Sequence, residues 1–294
     1  MIELRLEGHT AEITLANPPA NTFTAAGLLA LRGLVERLNQ DLSVYALVIT
    51  GQGEKFFSAG ADLKTFRDGD KVEARRMAQL FGAAFEALQE ARPVVIAAIN
   101  GYAMGGGLEC ALACDVRIAE EQAQMGLPEP SVGLLPTGCG TQTLPALVGE
   151  GWAKRMILTN ERVGAATALR IGLVEEVVAR GQALPAALAL AGRVATLSPR
   201  AVSFSKQLIH QDRLGTPRSA ALALERERFV DLFDGEDQPQ LREAVPAVDA
   251  VGGEIVRRDD RIVVEEILQD IGELVVYGFR RHALILACGA AADP

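Results

Sequence analysis

Asn100-Gly-Tyr-Ala-Met-Gly105-Gly106-Gly107-Leu-Glu109 decides how this chain is read. An apolar run, PVVIAAIN over residues 93–100, enters it like a strand, and a helical pattern, LECALACDV over 108–116, leaves it. Three consecutive glycines let the backbone turn sharply and present bare N–H groups to a ligand. A helix start adds unpaired amides and the positive end of a dipole, which favour a developing negative oxygen. Glu109 comes three residues after Gly106, so the two share one side of a helix. An acid beside an oxyanion-binding amide is a catalytic arrangement. The competing reading is a strand, a glycine turn and a core helix, with Glu109 solvated or capping.

Outside this stretch, composition narrows the function class. The 294 residues suffice for a full core, and 49% hydrophobic with 23% charged residues is the balance of a soluble globular protein. A net charge of −9 argues against nucleic acid as the main partner, because phosphate binding needs clustered Lys and Arg. Lys71, Arg75 and Arg76 make a small basic patch, but Glu73 interrupts it. The segment 93–113 is apolar yet carries Asn100, four glycines and Glu109, so a buried strand and helix are expected and no membrane span. The opening MIELRLEGHT lacks the basic and apolar regions of a secretion signal, which points to a cytoplasmic protein. Cys110, Cys114, Cys139 and Cys288 show no CxxC spacing and read as reduced thiols. His9, His210 and His282 are scattered away from the glycines, so neither a Ser-His-Asp site nor a metal site is expected. GGGLEC also fails the GxGxxG dinucleotide pattern.

Strands alternate with helices along the chain. Residues 2–6 and 11–15 alternate apolar and polar as a hairpin, and Asn17-Pro-Pro-Ala-Asn21 ends it. Thr24 is the expected N-cap of a helix to about Asn39, with Leu28, Leu31, Leu34, Val35 and Leu38 on its apolar face. YALVIT at 45–50 reads as a strand, 71–90 as an amphipathic helix and 94–99 as a strand. A short strand at 116–119 precedes a loop with Pro128-Glu129-Pro130. The Gly/Pro-rich 133–149 leads to a helix expected at 152–158. Beyond it, 165–171 reads as a helix, 173–178 as a strand, and 184–195 and 198–233 as helical. This alternation predicts α/β layering.

NPPAN (17–21), FFSAGADLK (56–64), INGYAMGGGLEC (99–110), CDVRIA (114–119), LPEPSVGLLP (127–136) with GTQ (140–142), and GLVEEVV (172–178) occur in an order and spacing that resemble the crotonase superfamily. The resemblance is to the enoyl-CoA hydratase/isomerase fold, over roughly residues 1–237. It implies an α/β spiral of ββα units over 1–197, a helical oligomerisation segment over 198–237, and a homotrimer or dimer of trimers. Residues 238–294 do not match the family and stand as a C-terminal extension of unknown role. The implied oxyanion hole is the amides of Ala61 and Gly106. The implied catalytic pair is Glu109, activating water, and Glu129, donating a proton. Coenzyme A, as part of the acyl-CoA thioester substrate, would contact Ala59, Ala61, Asp62 and Leu63. Lys55 and Lys64 flank that loop as candidate phosphate partners, and neither a metal nor a separate cofactor is implied. For AGAD the competing reading is a turn with Asp62 as a helix cap.

Two acids favour reversible hydration of a trans-2-enoyl-CoA to a 3-hydroxyacyl-CoA, as in fatty acid β-oxidation. A double-bond isomerase or another acyl-CoA enolate chemistry is the alternative. An RNA-binding or structural relative is the non-enzyme one. Phe66, Leu80 and Leu134 are candidates for the acyl pocket wall. The family's Pro-Gly-x-Gly-Gly-Thr-Gln reads here Pro136-Thr-Gly-Cys-Gly-Thr-Gln142, so Thr137 and Cys139 depart from the pattern beside the expected pocket.

Overall fold

The computed structural model describes residues 2–213 and 215–234; the expectation for the extension at 238–294 lies outside them. Strands β1 (Ile2–Glu7) and β2 (Thr10–Leu15) form the expected hairpin, registered Ile2 to Leu15, with Ala11, Ile13 and Leu15 of β2 buried. Helix α1 (Ala25–Gln40) starts where Thr24 accepts from the Gly27 amide, and it buries the five apolar residues its periodicity marks.

The chain then repeats one pattern. β3 (Ala46–Gly51) and β4 (Phe56–Ser58) precede α2 (Lys71–Gln89). β5 (Val94–Ile99) and β6 (Tyr102–Met104) precede α3 (Gly106–Leu112). β7 (Val116–Glu120) and β8 (Gln124–Gly126) precede α4 (Gly140–Leu158). β9 (Val163–Gly164), α5 (Ala165–Arg170), β10 (Glu176–Val178), α6 (Ala183–Val194), α7 (Pro199–Arg213) and α8 (Arg218–Asp231) complete it. The first strand of each pair joins a six-stranded sheet in the order β1-β2-β3-β5-β7-β10, and the second joins a four-stranded sheet in the order β4-β6-β8-β9. Two sheets wound together by successive ββα units make the spiral that the motif order implied.

The central strands β3 and β5 of the large sheet are buried on both faces, which is why they read as continuous apolar runs. Leu47 and Ile49 of β3 face the main core with Phe81, Phe85 and Leu88 of α2. Ala46 and Val48 face Ala183, Ala187 and Ala191 of α6, whose small side chains let the helix lie close on the sheet. Among the described residues, no helix is long and apolar enough to cross a membrane.

Two expectations need correction. The helix expected at 152–158 forms, but a further helical stretch precedes it from Gly140, the two meeting at a break in helical geometry at Gly149. The opening at Gly140 looks like a loop because the groups that cap it come from a distant segment, described below. The strand expected at 173–178 is only Glu176–Val178. Leu173 and Val174 instead close α5: Leu173 N–H donates to Ala168 O at 2.8 Å and Gly172 N–H to Leu169 O at 3.2 Å, with Gly172 at φ +78°. That is a Schellman ending. The small-sheet strands of two or three residues escaped the sequence reading because such a run carries no legible period.

Candidate active site

The small sheet builds the site. β4, β6 and β8 run parallel, so the loops that follow them emerge at one edge, carrying Ala59–Asp62, Gly105–Gly106 and Pro128–Glu129. The first two loops touch backbone to backbone. A Cβ on Gly60, at φ +84°, would stand 2.7 Å from Met104 O and 2.8 Å from Gly106 N. Only glycine allows that approach.

The NPPAN segment clamps the first loop from outside. Ala59 N–H donates to Ala20 O at 2.9 Å, Phe23 N–H to Gly60 O at 2.8 Å, and Ser58 Oγ to Asn21 O at 2.7 Å. The Asn21 amide group in turn donates to Gln52 O and Phe56 O. Among the described residues no acceptor meets the amides of Ala61 or Gly106. Gly106 is the first residue of α3, so its N–H has no partner in the helix either. Two free amides on touching loops converge on one cavity of about 460 Å³.

Both glutamates line that cavity, in contrasting environments. Glu109 is 2% exposed, and its Oε1 accepts three backbone N–H groups, from Gly138 at 2.8 Å, Cys139 at 3.0 Å and Gly140 at 2.8 Å. These are the opening amides of α4, so Glu109 caps a helix 29–31 residues away. With Oε1 saturated as an acceptor, Oε2 is the oxygen left to exchange a proton.

Glu129 opens a short 3₁₀ turn, Glu129–Val132, and its Oε2 is buried without a hydrogen-bond partner. Its Oε1 lies over Gly105, where a Cβ would stand 2.7 Å away. Burial pushes the Glu129 carboxyl up from 4.5 to about 7; a bond to its own backbone amide opposes the shift, and the Glu109 charge adds to it. A carboxyl near 7 carries a proton that it can give up at neutral pH.

Ala59, Ala61, Asp62, Leu63 and Gly106 all line the cavity, as do Phe66 and Leu134. Asp62 also accepts from the Lys64 amide at 3.1 Å, which starts the 3₁₀ turn Leu63–Phe66. The capping reading of AGAD therefore holds alongside its place on the wall. Lys64 and Lys55 are exposed and outside the lining, with the Lys55 ammonium over the Phe56 ring. Leu80 packs on the core rather than the cavity. The sequence reading missed Phe81, Leu135 and Arg162 on the wall, and it missed the amide cradle of Glu109. Glycines spaced through PTGCG directly before a helix were the readable signal for that cradle.

Among the described residues there is no group of three or more His, Cys, Asp or Glu that could hold a metal ion. Among the described residues the cysteines form no disulfide; Cys110 and Cys114 are buried and Cys139 is partly exposed.

A two-sheet ββα spiral whose strand-end loops enclose one cavity defines the crotonase fold class. The chain belongs to the enoyl-CoA hydratase/isomerase family: that family's model matches residues 5–245. It is 39% identical over 236 residues to the short-chain-enoyl-CoA hydratase of Clostridium acetobutylicum, covering 80% of this chain and 90% of that protein. To the crotonyl-CoA hydratase of Syntrophomonas wolfei it is 37% identical over 240 residues, covering 81% and 92%. The structure of Pseudomonas aeruginosa DspI matches with a TM-score of 0.78 at 64% identity, over 79% of this chain and 95% of that one.

Proposed function

We propose that this protein adds water reversibly across the double bond of a trans-2-enoyl-CoA, giving a 3-hydroxyacyl-CoA. The observation that carries this reading is the pair of carboxyls on one cavity, one oxygen of Glu109 fixed by three amides and Glu129 raised to about 7. Hydration needs one group to take a proton and another to give one, and two acids in unlike environments supply both.

Water attacks C3 while the free Oε2 of Glu109 takes its proton. The π electrons move onto C2, and charge gathers on the thioester oxygen. The amides of Ala61 and Gly106 hold that oxygen, each donor worth about 3 kcal/mol in comparable sites. Protonated Glu129 delivers its proton to C2, leaving Glu109 protonated and Glu129 ionised until solvent restores them. Names of relatives support the reaction type: those at 37–39% identity are hydratases. The CoA portion lies along Ala59, Asp62, Leu63 and Lys64 in this reading. Exposed Ile209, Phe229, Val230 and Phe233 in the helical segment support assembly into a trimer or dimer of trimers.

The test is loss of the enoyl-thioester absorbance of crotonyl-CoA. Glu109→Gln keeps an oxygen for the three amides but removes the base, and Glu129→Gln removes the acid. Each is expected to lower kcat by at least about 10²-fold with KM little changed. Wild-type turnover in both variants would overturn the assignment.

A further inference from the structure

The departure at Thr137 has a use in the site. Three hydroxyl side chains line the cavity: Thr22, Ser131 and Thr137. Thr22 Oγ1 accepts from the Asn17 amide at 3.1 Å, and Ser131 Oγ donates to Pro128 O at 2.6 Å. The Thr137 hydroxyl alone of the three has no partner among the described residues. It sits in the cradle itself, since the next residue's amide, Gly138 N–H, is 2.8 Å from Glu109 Oε1. Thr137 is exposed and lines the same cavity as Glu109, so its short side chain borders the space that a molecule held at Glu109 would occupy.

The fold admits a side chain here and refuses one at the neighbouring glycines. A Cβ on Gly138 would stand 2.5 Å from Phe85 Cδ2, and one on Gly140 2.9 Å from Leu127 Cδ1. Thr137 is absent from the residues with left-handed φ, so a β-branched residue sits there unstrained.

We propose that Thr137 is a positioning residue whose hydroxyl binds the oxygen added at C3: the attacking water in one direction, the 3-hydroxyl of the ester in the other. This rests on the hydratase reading for the reaction but concerns a contact that binding alone reports. Attacking water has two protons and one acceptor in Glu109 Oε2. A hydroxyl that accepts the second proton's hydrogen bond fixes the water's orientation, which is where such contacts earn rate.

The experiment compares wild type, Thr137→Val and Thr137→Ser. Valine matches threonine in shape and lacks the hydroxyl; serine restores it. Calorimetric titration with 3-hydroxybutyryl-CoA and with butyryl-CoA gives the affinity increment due to the 3-hydroxyl. The wild type is expected to favour the hydroxy ester, Thr137→Val to lose about 10-fold of that preference, and Thr137→Ser to regain it. In turnover, Thr137→Val should lower kcat about 10-fold while leaving KM for crotonyl-CoA near wild type. An unchanged increment and unchanged kcat in Thr137→Val would overturn the proposal. A wild type that binds the hydroxy ester through Thr137 but does not hydrate crotonyl-CoA would refute the hydratase reading and leave the contact standing.

Discussion

Replacing Glu129 by Gln should stabilise the folded protein, and more so at high pH. The Glu129 carboxyl moves from 4.5 to about 7, chiefly through burial. Native Glu129 therefore keeps its proton across a range where the unfolded chain has released it. Stability from this group is fully present below about 4.5, declines as pH rises towards about 7, and is lost above it. A shift of about 2.5 pH units at 1.36 kcal/mol each is about 3 kcal/mol of penalty at pH 8, and about 1 kcal/mol at pH 5.5. Glutamine has no charge to desolvate. Its amide inherits the unpartnered position of Oε2, a cost that does not vary with pH. The quantity to measure is thus the change in the variant's advantage between the two pH values, about 2 kcal/mol. Urea unfolding followed through Trp152 fluorescence at pH 5.5 and 8.0 reads it. Parallel pH profiles for wild type and variant would refute the claim that the site holds this carboxyl in a desolvated, protonated state. The kinetic counterpart has opposite limbs. In the proposed reaction hydration uses protonated Glu129, so it should fall as pH rises through about 7, and dehydration should rise.

Two further perturbations probe the scaffold. Arg117 is 1% exposed and donates to Cys114 O at 2.8 Å, Leu173 O at 2.9 Å and the Glu175 carboxylate at 2.5 Å. Arg117→Met should cost about 3 kcal/mol in urea unfolding, because two buried carbonyls lose their donor while the half-exposed Glu175 rehydrates. Gly105→Ala would put a methyl group 2.7 Å from Glu129 Oε1 at a residue with φ +54°. Displacing that carboxyl should lower kcat on crotonyl-CoA about 100-fold.

Legibility followed physical cause. β3 could be read because it is buried on both faces, and α1 because Thr24 and the periodic set of four leucines and one valine state its start and its inner side. The two glutamates and the two free amides were legible only through motif order, since nothing local in LPEP says that Glu129 will lose its water. Elements whose stability comes from elsewhere were not legible. α4 begins in a Gly-rich stretch that lacks a capping side chain of its own, and Glu109 supplies the missing acceptor. Leu173 and Val174 are apolar and β-prone yet serve the end of α5, because Gly172 takes the left-handed conformation that a Schellman ending needs.

The cap on α4 also explains why the two carboxyls on the cavity are asymmetric. A helix opening presents N–H groups that can only donate, so the carboxylate oxygen that accepts from them is held as an acceptor. In Glu109 that oxygen is Oε1, which orients the side chain and leaves Oε2 outside the amide cradle, the oxygen that the proposed reaction uses as base. Glu129 Oε2 has no such partner, and burial is the chief cause of its raised affinity for a proton. Helix capping and the orientation of the Glu109 carboxylate are thus one set of hydrogen bonds. An alanine there would remove the cap together with the proposed base, whereas glutamine separates them. Thr137 completes the same logic: its backbone leads into the cradle that holds the base, and its side chain is free to hold what the base acts on.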